Sequence, residues 1–483
     1  MAARTGAGSS SGPPLSLDRV LGQTCLGNSA LAVNPATGDV AYPAGCVVVV
    51  YQPRRNRQIR YFRAGKAVSC LAFSRDGAML AVGERGHQPS VIVWDTATGA
   101  VLRELKGGHR FGVGCLAFSP RGHLLVTCGF KYDRTLQIWE LGLRGDDDAQ
   151  AGDGAWAAHD HLNGHANGHA KGHRGPAASP AAPQQRQRPG TAPAGRARRA
   201  ASARIGQKVR AIDFAEDGTY FVTCGDRHVK FWFLDDRGNV PYGSGGSPAA
   251  AVVAAGDPTD PVAAAAAAAA EPAAAAAAAA APLAILEGRP ASILEALKDA
   301  VFMDVACSRS AGGGGGVVYC VTSAGLLCVF SAGRVMEQWL SLEAPAAYAL
   351  SLCDDGDGTL AVACADGLVR LFAADSLRYV ATLPRPPPLG RANVASMAEL
   401  HAMTAVIAAG SNGTVTTAAG ENNGGSDAAA AAAAMVRYPA ALAVRMLPVA
   451  SSGAKVVVAY ADRGLFIWDA ADPHNVGKYR SFL

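Results

Sequence analysis

An imidazole held by a carboxylate is common machinery for moving a proton, and His109 and Asp133 could form such a pair if this 483-residue chain folds back between them. A second set, His161, His165, His169 and His173 with His159 just before it, recurs every four residues. On a helix that spacing would put imidazoles on one face for zinc or nickel. Gly, Asn and Ala fill the intervals, so a helix is poorly supported and the segment reads as Gly-His low-complexity expansion. Asp354-Asp355 and Asp146 to Asp148 are clustered acids among turn formers, where solvated turn residues explain them. There is no GxSxG, no HExxH and no GxxxxGK followed by Ser or Thr, and no helix pattern follows Gly312 to Gly316 to make a phosphate cradle. No catalytic, cofactor-binding or metal-binding residue is assigned, and the chain is expected not to be an enzyme.

Repetition accounts for His109 and Asp133 without a substrate. The phrase Asp, five residues, aromatic occurs as Asp133 to Trp139, Asp226 to Trp232, Asp366 to Phe372 and Asp462 to Trp468. Each copy ends a stretch of apolar strand, small residues, tight turn and apolar strand, as in Leu124 to Cys128 followed by Thr135 to Trp139. Trp94 and Trp139 are 45 residues apart and Phe330 and Phe372 are 42 apart, the length of one four-stranded blade. The pattern is that of a WD-repeat β-propeller. In such repeats the histidine of a Gly-His pair, a strand hydroxyl, the turn aspartate and the strand tryptophan form a hydrogen-bonded chain, here His109, Thr127, Asp133 and Trp139. Burial of the carboxylate and imidazole is tolerable only when they are partnered.

Seven units can be counted, so the fold class is all-β, a seven-bladed propeller over 15–483 behind a disordered start at 1–14. Three low-complexity insertions interrupt it, at 142–204 (Gly, Ala, His, Pro, Arg), 236–282 (almost wholly Ala, Gly and Pro) and 390–435 (Ala, Gly, Asn, Thr). None has an apolar period that could build a core, so they are expected to be disordered loops between blades. The alanine runs at 263–270 and 273–281 have no amphipathic face and Pro272 separates them, and no run of Leu, Ile or Phe approaches the length of a membrane span. Eleven cysteines fall largely at strand positions without CxxC pairs and read as small buried hydrophobes in a reducing compartment. With no apolar signal segment at Met1 to Pro14, an intracellular, cytoplasmic protein is expected.

Charge is uneven. Residues 171–210 hold ten of the 44 basic residues (Lys171, Arg174, Arg186, Arg188, Arg196, Arg198, Arg199, Arg204, Lys208 and Arg210) and none of the 39 acidic ones, leaving the rest of the chain at a net −5. A flexible basic loop could grip microtubules, nucleic acid or anionic lipid. With Trp156 as the one aromatic in that insertion there is no stacking platform for bases, so specific nucleic-acid reading is not expected.

Further phrases stand out in order: Leu17 to Gly22, Ala41 to Val49, Gly83-Glu84-Arg85-Gly86-His87-Gln88-Pro89-Ser90-Val91, Gly225-Asp226-Arg227-His228-Val229-Lys230-Phe231-Trp232-Phe233-Leu234, Gly325 to Cys328, Asp366 to Phe372, and Ile467-Trp468-Asp469 leading to Val476-Gly477-Lys478. Together they resemble the mitogen-activated-protein-kinase-binding protein family, which includes a centrosomal, microcephaly-associated WD-repeat paralogue. The resemblance implies a non-enzymatic scaffold for protein partners, among them kinases of the JNK pathway or centrosomal, spindle-pole and cytoskeletal proteins. Family members continue into a second propeller and a long tail, whereas this chain ends at Leu483, so kinase docking and coiled-coil association are not carried over. From a different class, a chromatin or nucleic-acid adaptor using the 171–210 segment stays open. Ring closure is expected to come from Leu17 to Leu21 pairing in the last blade.

Overall fold

A computed structural model describes residues 17–143, 197–234, 284–308, 316–353, 358–386, 438–448 and 455–470. The start at 1–14, the cluster His159 to His173, Asp146 to Asp148, Asp354-Asp355, Gly312 to Gly315, both alanine runs and Lys171 to Arg196 lie outside the described residues.

Seven sheets form, each built on an antiparallel meander. Their inner strands are Ala32–Val33, Val68–Phe73, Val113–Phe118, Val209–Phe214, Phe302–Cys307, Ala347–Cys353 and Ala441–Met446 for blades 1 to 7. Each inner strand touches those of its two neighbours, and the seventh returns to the first, so the sheets close into a ring around a central channel. The second strands Met79–Glu84, Leu124–Gly129 and Tyr220–Gly225 are buried at every position. Each is covered by a blade on both faces, which is why they read as continuous apolar runs and not as alternating ones. Outer strands such as Val101–Leu105 are mostly exposed or half-buried. Gly77, Gly122 and Gly218 take φ of 70°, 73° and 74° in the turns from first to second strand, a left-handed conformation that glycine adopts without a Cβ clash.

Three boundaries depart from the sequence reading. The insertion placed at 142–204 ends earlier, because Arg198–Arg204 is the outer strand of blade 3, pairing Leu136 with Ala203 and Ile138 with Ala201. Its Arg and Ala residues have little intrinsic strand preference, and pairing against Thr135–Glu140 overrides that. Arg198, Arg199 and Arg204 therefore belong to the propeller and not to a free basic arm. The outer strand of blade 4 is Gly288–Pro290, which follows the Ala-rich segment, and Ala284–Ile285 adds to blade 3 in parallel.

The third departure concerns closure. Leu17 to Leu21 form no strand with blade 7, which has three strands among the described residues, Ala441–Met446, Lys455–Tyr460 and Leu465–Asp469. The segment lies against blade 1. The Val20 N–H donates to Gln58 Oε1 at 2.9 Å, Gln58 Nε2 donates to the Val20 carbonyl at 2.7 Å, and Tyr61 Oη donates to the Asp18 carbonyl at 2.9 Å. A side-chain amide thus takes both main-chain groups that a strand partner would otherwise satisfy. All eleven cysteines are free thiols, and among the described residues no helix is long and apolar enough to cross a membrane.

Candidate functional site

The four residues expected to form a chain in blade 3 come together incompletely. His109 Nε2 lies 2.8 Å from Thr127 Oγ1, and Trp139 Nε1 donates to the same hydroxyl at 3.1 Å. Asp133, only half-buried, instead accepts from the backbone N–H groups of Arg110 at 2.7 Å and Phe111 at 3.0 Å. Its place beside His109 Nδ1 is taken by Thr135 Oγ1 at 3.3 Å. Asp133 acts on the imidazole through space, partly offsetting the burial that pulls His109 down to about 4. Gly129 makes room for this packing, since a Cβ there would stand 2.5 Å from Asp133 Cβ and 2.8 Å from His109 Nδ1. A neutral, enclosed histidine bonded to a threonine cannot serve as a solvent-accessible base. The group orders the blade edge.

The other Asp-to-aromatic phrases do not repeat that geometry. Asp226 accepts from Arg210 Nε at 2.8 Å, Asp366 from Arg370 Nη2 at 2.9 Å, and Asp462 from the Gly464 N–H at 2.9 Å. What the four share is the backbone, because the next residue is left-handed each time: Arg134, Arg227, Gly367 and Arg463 at φ of 50°, 52°, 80° and 71°. Aspartate suits such a turn by bonding the chain just ahead. The aromatics differ too. Trp232 Nε1 donates to Thr223 Oγ1 at 2.9 Å and Trp468 Nε1 to Tyr460 Oη at 3.2 Å, while Phe372 has no donor to place.

One residue left unassigned by the sequence completes blade 4. His228 Nε2 meets Thr223 Oγ1 at 2.7 Å, so a histidine in the third strand replaces one ahead of the first. The repeated Val-Thr-Cys-Gly, at Val126 to Gly129 and Val222 to Gly225, marks the threonine but not the histidine that meets it. Burial pulls His228 down to about 4, with Lys230 adding to the shift.

A second unforeseen feature fills the channel. The 3-10 turn Asn28–Ala30 sits at its centre, where Asn28 Nδ2 donates to Asp304 Oδ2 and, at 2.8 Å, to the Leu350 carbonyl, while Asn28 Oδ1 accepts from the Val444 N–H at 3.0 Å. Arg445 donates from Nε to the Leu31 carbonyl and from Nη2 to the Asn28 carbonyl, both at 2.9 Å. Burial pushes Asp304 and Asp213 up to about 6, and the attraction of Arg445 works against that rise.

The turn separates two cavities of about 600 Å³ each, with Ser29 and Asp304 lining both. One opens at the C-terminal ends of the inner strands, by Arg75, Asp213, Glu216 and Arg445. The other opens at their N-terminal ends, by Arg85, Phe130, Lys131, Tyr132, Lys208 and Arg210. Beside it Tyr132 is 80% and Phe111 45% exposed, their rings 6.4 Å apart and edge-on. Exposed aromatics and cations around a concave mouth are the composition of a protein-docking face. Among the described residues no cluster of three or more His, Cys, Asp or Glu could hold a metal ion.

The family model of the WD domain, G-beta repeat, matches residues 56–95, 99–140 and 203–232. Mitogen-activated protein kinase-binding protein 1 of Mus musculus is 30% identical over 470 residues, 97% of this chain. WD repeat-containing protein 62 of Sus scrofa is 30% identical over 478 residues, also 97% of the chain. This chain is a WD-repeat β-propeller protein, similar to both of these proteins. It spans 23% and 22% of the length of those two relatives. Centriole proteome protein 16 of Chlamydomonas reinhardtii is similar over a shorter stretch, 31% identical across 25% of this chain and 7% of its own length.

Proposed function

We propose that this WD-repeat propeller is a non-enzymatic scaffold that holds protein partners in kinase-signalling or centrosomal and cytoskeletal assemblies. The observation that carries the reading is the likeness along 97% of the chain to one protein named for binding a mitogen-activated protein kinase and to WD repeat-containing protein 62. The buried state of His109 and His228 supports it, since both imidazoles are spent on threonine hydroxyls inside blades. The nucleic-acid adaptor loses part of its footing, because Arg198 pairs with Glu140 at 2.6 Å and Arg210 with Asp226 at 2.8 Å on ordered strands. Proximity labelling in cells tests the reading. Enrichment of kinases or of centrosomal and microtubule-associated proteins is expected, and enrichment of chromatin proteins in their place would sink it.

A further inference from the structure

The mouth at the N-terminal ends of the inner strands gathers more positive charge than its surroundings answer. Arg85 from blade 2, Lys131 from blade 3, and Lys208 and Arg210 at the start of blade 4 line one cavity of about 600 Å³. Arg210 is paired with Asp226. Asp304, the acid among the described lining residues, is already occupied by Asn28 and by the Leu350 N–H at 2.8 Å. Arg85, Lys131 and Lys208 share the mouth, and none of the three has an ion pair among the described residues. Lys208 registers this, since its ammonium is pulled below the usual lysine range first by burial and then by Arg210, with Lys131 contributing and the attraction of Asp226 offsetting only part of the fall. Lys208 is half-buried while Arg85 and Lys131 are exposed, and cations gathered at one mouth are relieved by an anion that enters among them.

The neighbouring side chains narrow the kind of anion. Phe130, Tyr132 and Tyr348 line the same mouth, and Phe111 extends the patch outward with Arg110 over its ring at 5.8 Å. A concave charged centre with an aromatic rim on one side suits a group of high charge density carried on an extended chain. A flat bilayer meets convex rims first, and a duplex needs a longer basic stripe than one channel mouth offers. A phosphate monoester supplies close to two negative charges and three acceptor oxygens in the volume of one side chain.

We propose that this mouth docks a phosphorylated serine or threonine segment of a partner protein, its phosphate between Arg85, Lys131 and Lys208 and its flanking residues against Tyr132 and Phe111. The proposal rests on the scaffold reading and names the chemistry of the partner.

Fluorescence anisotropy on the purified full chain tests it, with three degenerate heptapeptide pools centred on phosphoserine or phosphothreonine, on the unmodified residue, or on glutamate. Tighter binding of the phosphorylated pool by tenfold or more is expected, weakening as salt rises. The double variant Lys131→Glu/Lys208→Glu should lose at least tenfold and Lys131→Gln/Lys208→Gln somewhat less, with thermal unfolding showing that both fold. Arg75→Glu at the opposite mouth should change nothing. Equal binding of the phosphorylated and unmodified pools would overturn the proposal, as would binding that survives both double variants. So would capture by phosphoinositide vesicles that the variants abolish while no peptide pool binds. If phosphopeptides bind as described but labelling in cells returns no signalling or centrosomal partner, the scaffold reading fails and the site stands. The reverse pattern removes the site alone.

Discussion

Thr127 is the residue on which the edge of blade 3 depends. Its hydroxyl is the shared partner of His109 and Trp139, both buried, so Thr127→Val keeps the shape and orphans two polar groups at once. At about 1 to 3 kcal/mol for each buried group left unpaired, a loss near 3 kcal/mol is expected in chemical denaturation, with Thr127→Ser close to wild type. Asp133→Ala should cost less, about 1 to 2 kcal/mol, because a half-buried carboxylate bonded to two backbone amides behaves as a cap. The buried titratable groups oppose one another with pH. His109 and His228, held at about 4, bind their protons less readily folded than unfolded, so their contribution is complete above pH 6.5 and is lost as the pH falls toward 4. Asp213 and Asp304, raised to about 6, bind protons more readily folded, so they favour the folded chain below pH 4 and lose that contribution as the pH rises through 6. The two pairs nearly cancel between pH 4 and 6. Asp304→Asn removes one of the two carboxylates from the balance, and its drop in stability from pH 7 to pH 4.5 should exceed that of wild type by about 2 kcal/mol. An equal drop in both would show that Asp304 titrates normally. The repeat residues His109, Thr127 and Trp139 were legible from their period. Thr135 and His228 were not, because a repeat rule names positions, whereas a hydrogen bond needs only an atom within reach.

The short Asn28–Ala30 turn ties the ring together more than any strand of the N-terminal segment does. Asn28 contributes three side-chain bonds and one backbone carbonyl that engage blades 5, 6 and 7, and Ser29 Oγ donates to the Arg210 carbonyl of blade 4 at 3.2 Å. Gln23 Nε2 adds a bond to the Tyr460 carbonyl of blade 7 at 3.0 Å. Truncating residues 1–22 should therefore leave a soluble protein with its melting midpoint lowered slightly, through the lost Val20 contacts with Gln58. Asn28→Ala should cost about 3 kcal/mol or more, since it strands a carboxylate, a carbonyl and an amide inside the channel. Aggregation of the 1–22 truncation beside a normal Asn28→Ala would reverse this assignment and restore strand closure by Leu17 to Leu21. The blades were readable because two-sided burial forces apolar runs at a fixed interval. The plug was not, because Gly27-Asn28-Ser29-Ala30 has the composition of any turn, and its role comes from where the ring carries it.

For the whole molecule, stability resides in blade-to-blade contact, and the chain between blades has to preserve only connectivity. Every core cluster shows this, as where Val126, Ile138 and Ala201 of blade 3 pack with Phe214, Phe221 and Trp232 of blade 4. The stretch between Leu234 and Ala284 joins the third strand of blade 4 to two short strands, Ala284–Ile285 on blade 3 and Gly288–Pro290 on blade 4. Closing a loop costs only slowly more as it lengthens, about 0.6 kcal/mol per doubling, so most of that stretch adds little for or against the fold. Deleting residues 240–280 should leave the midpoint of thermal unfolding within a few degrees of wild type, with one cooperative transition. Extending the deletion through residue 290 should lower it clearly. The longer deletion strips the outer strand from Trp232 and removes Leu286 from the core shared by blades 3 and 4. Equal effects from the two deletions would place the structural boundary elsewhere than Ala284.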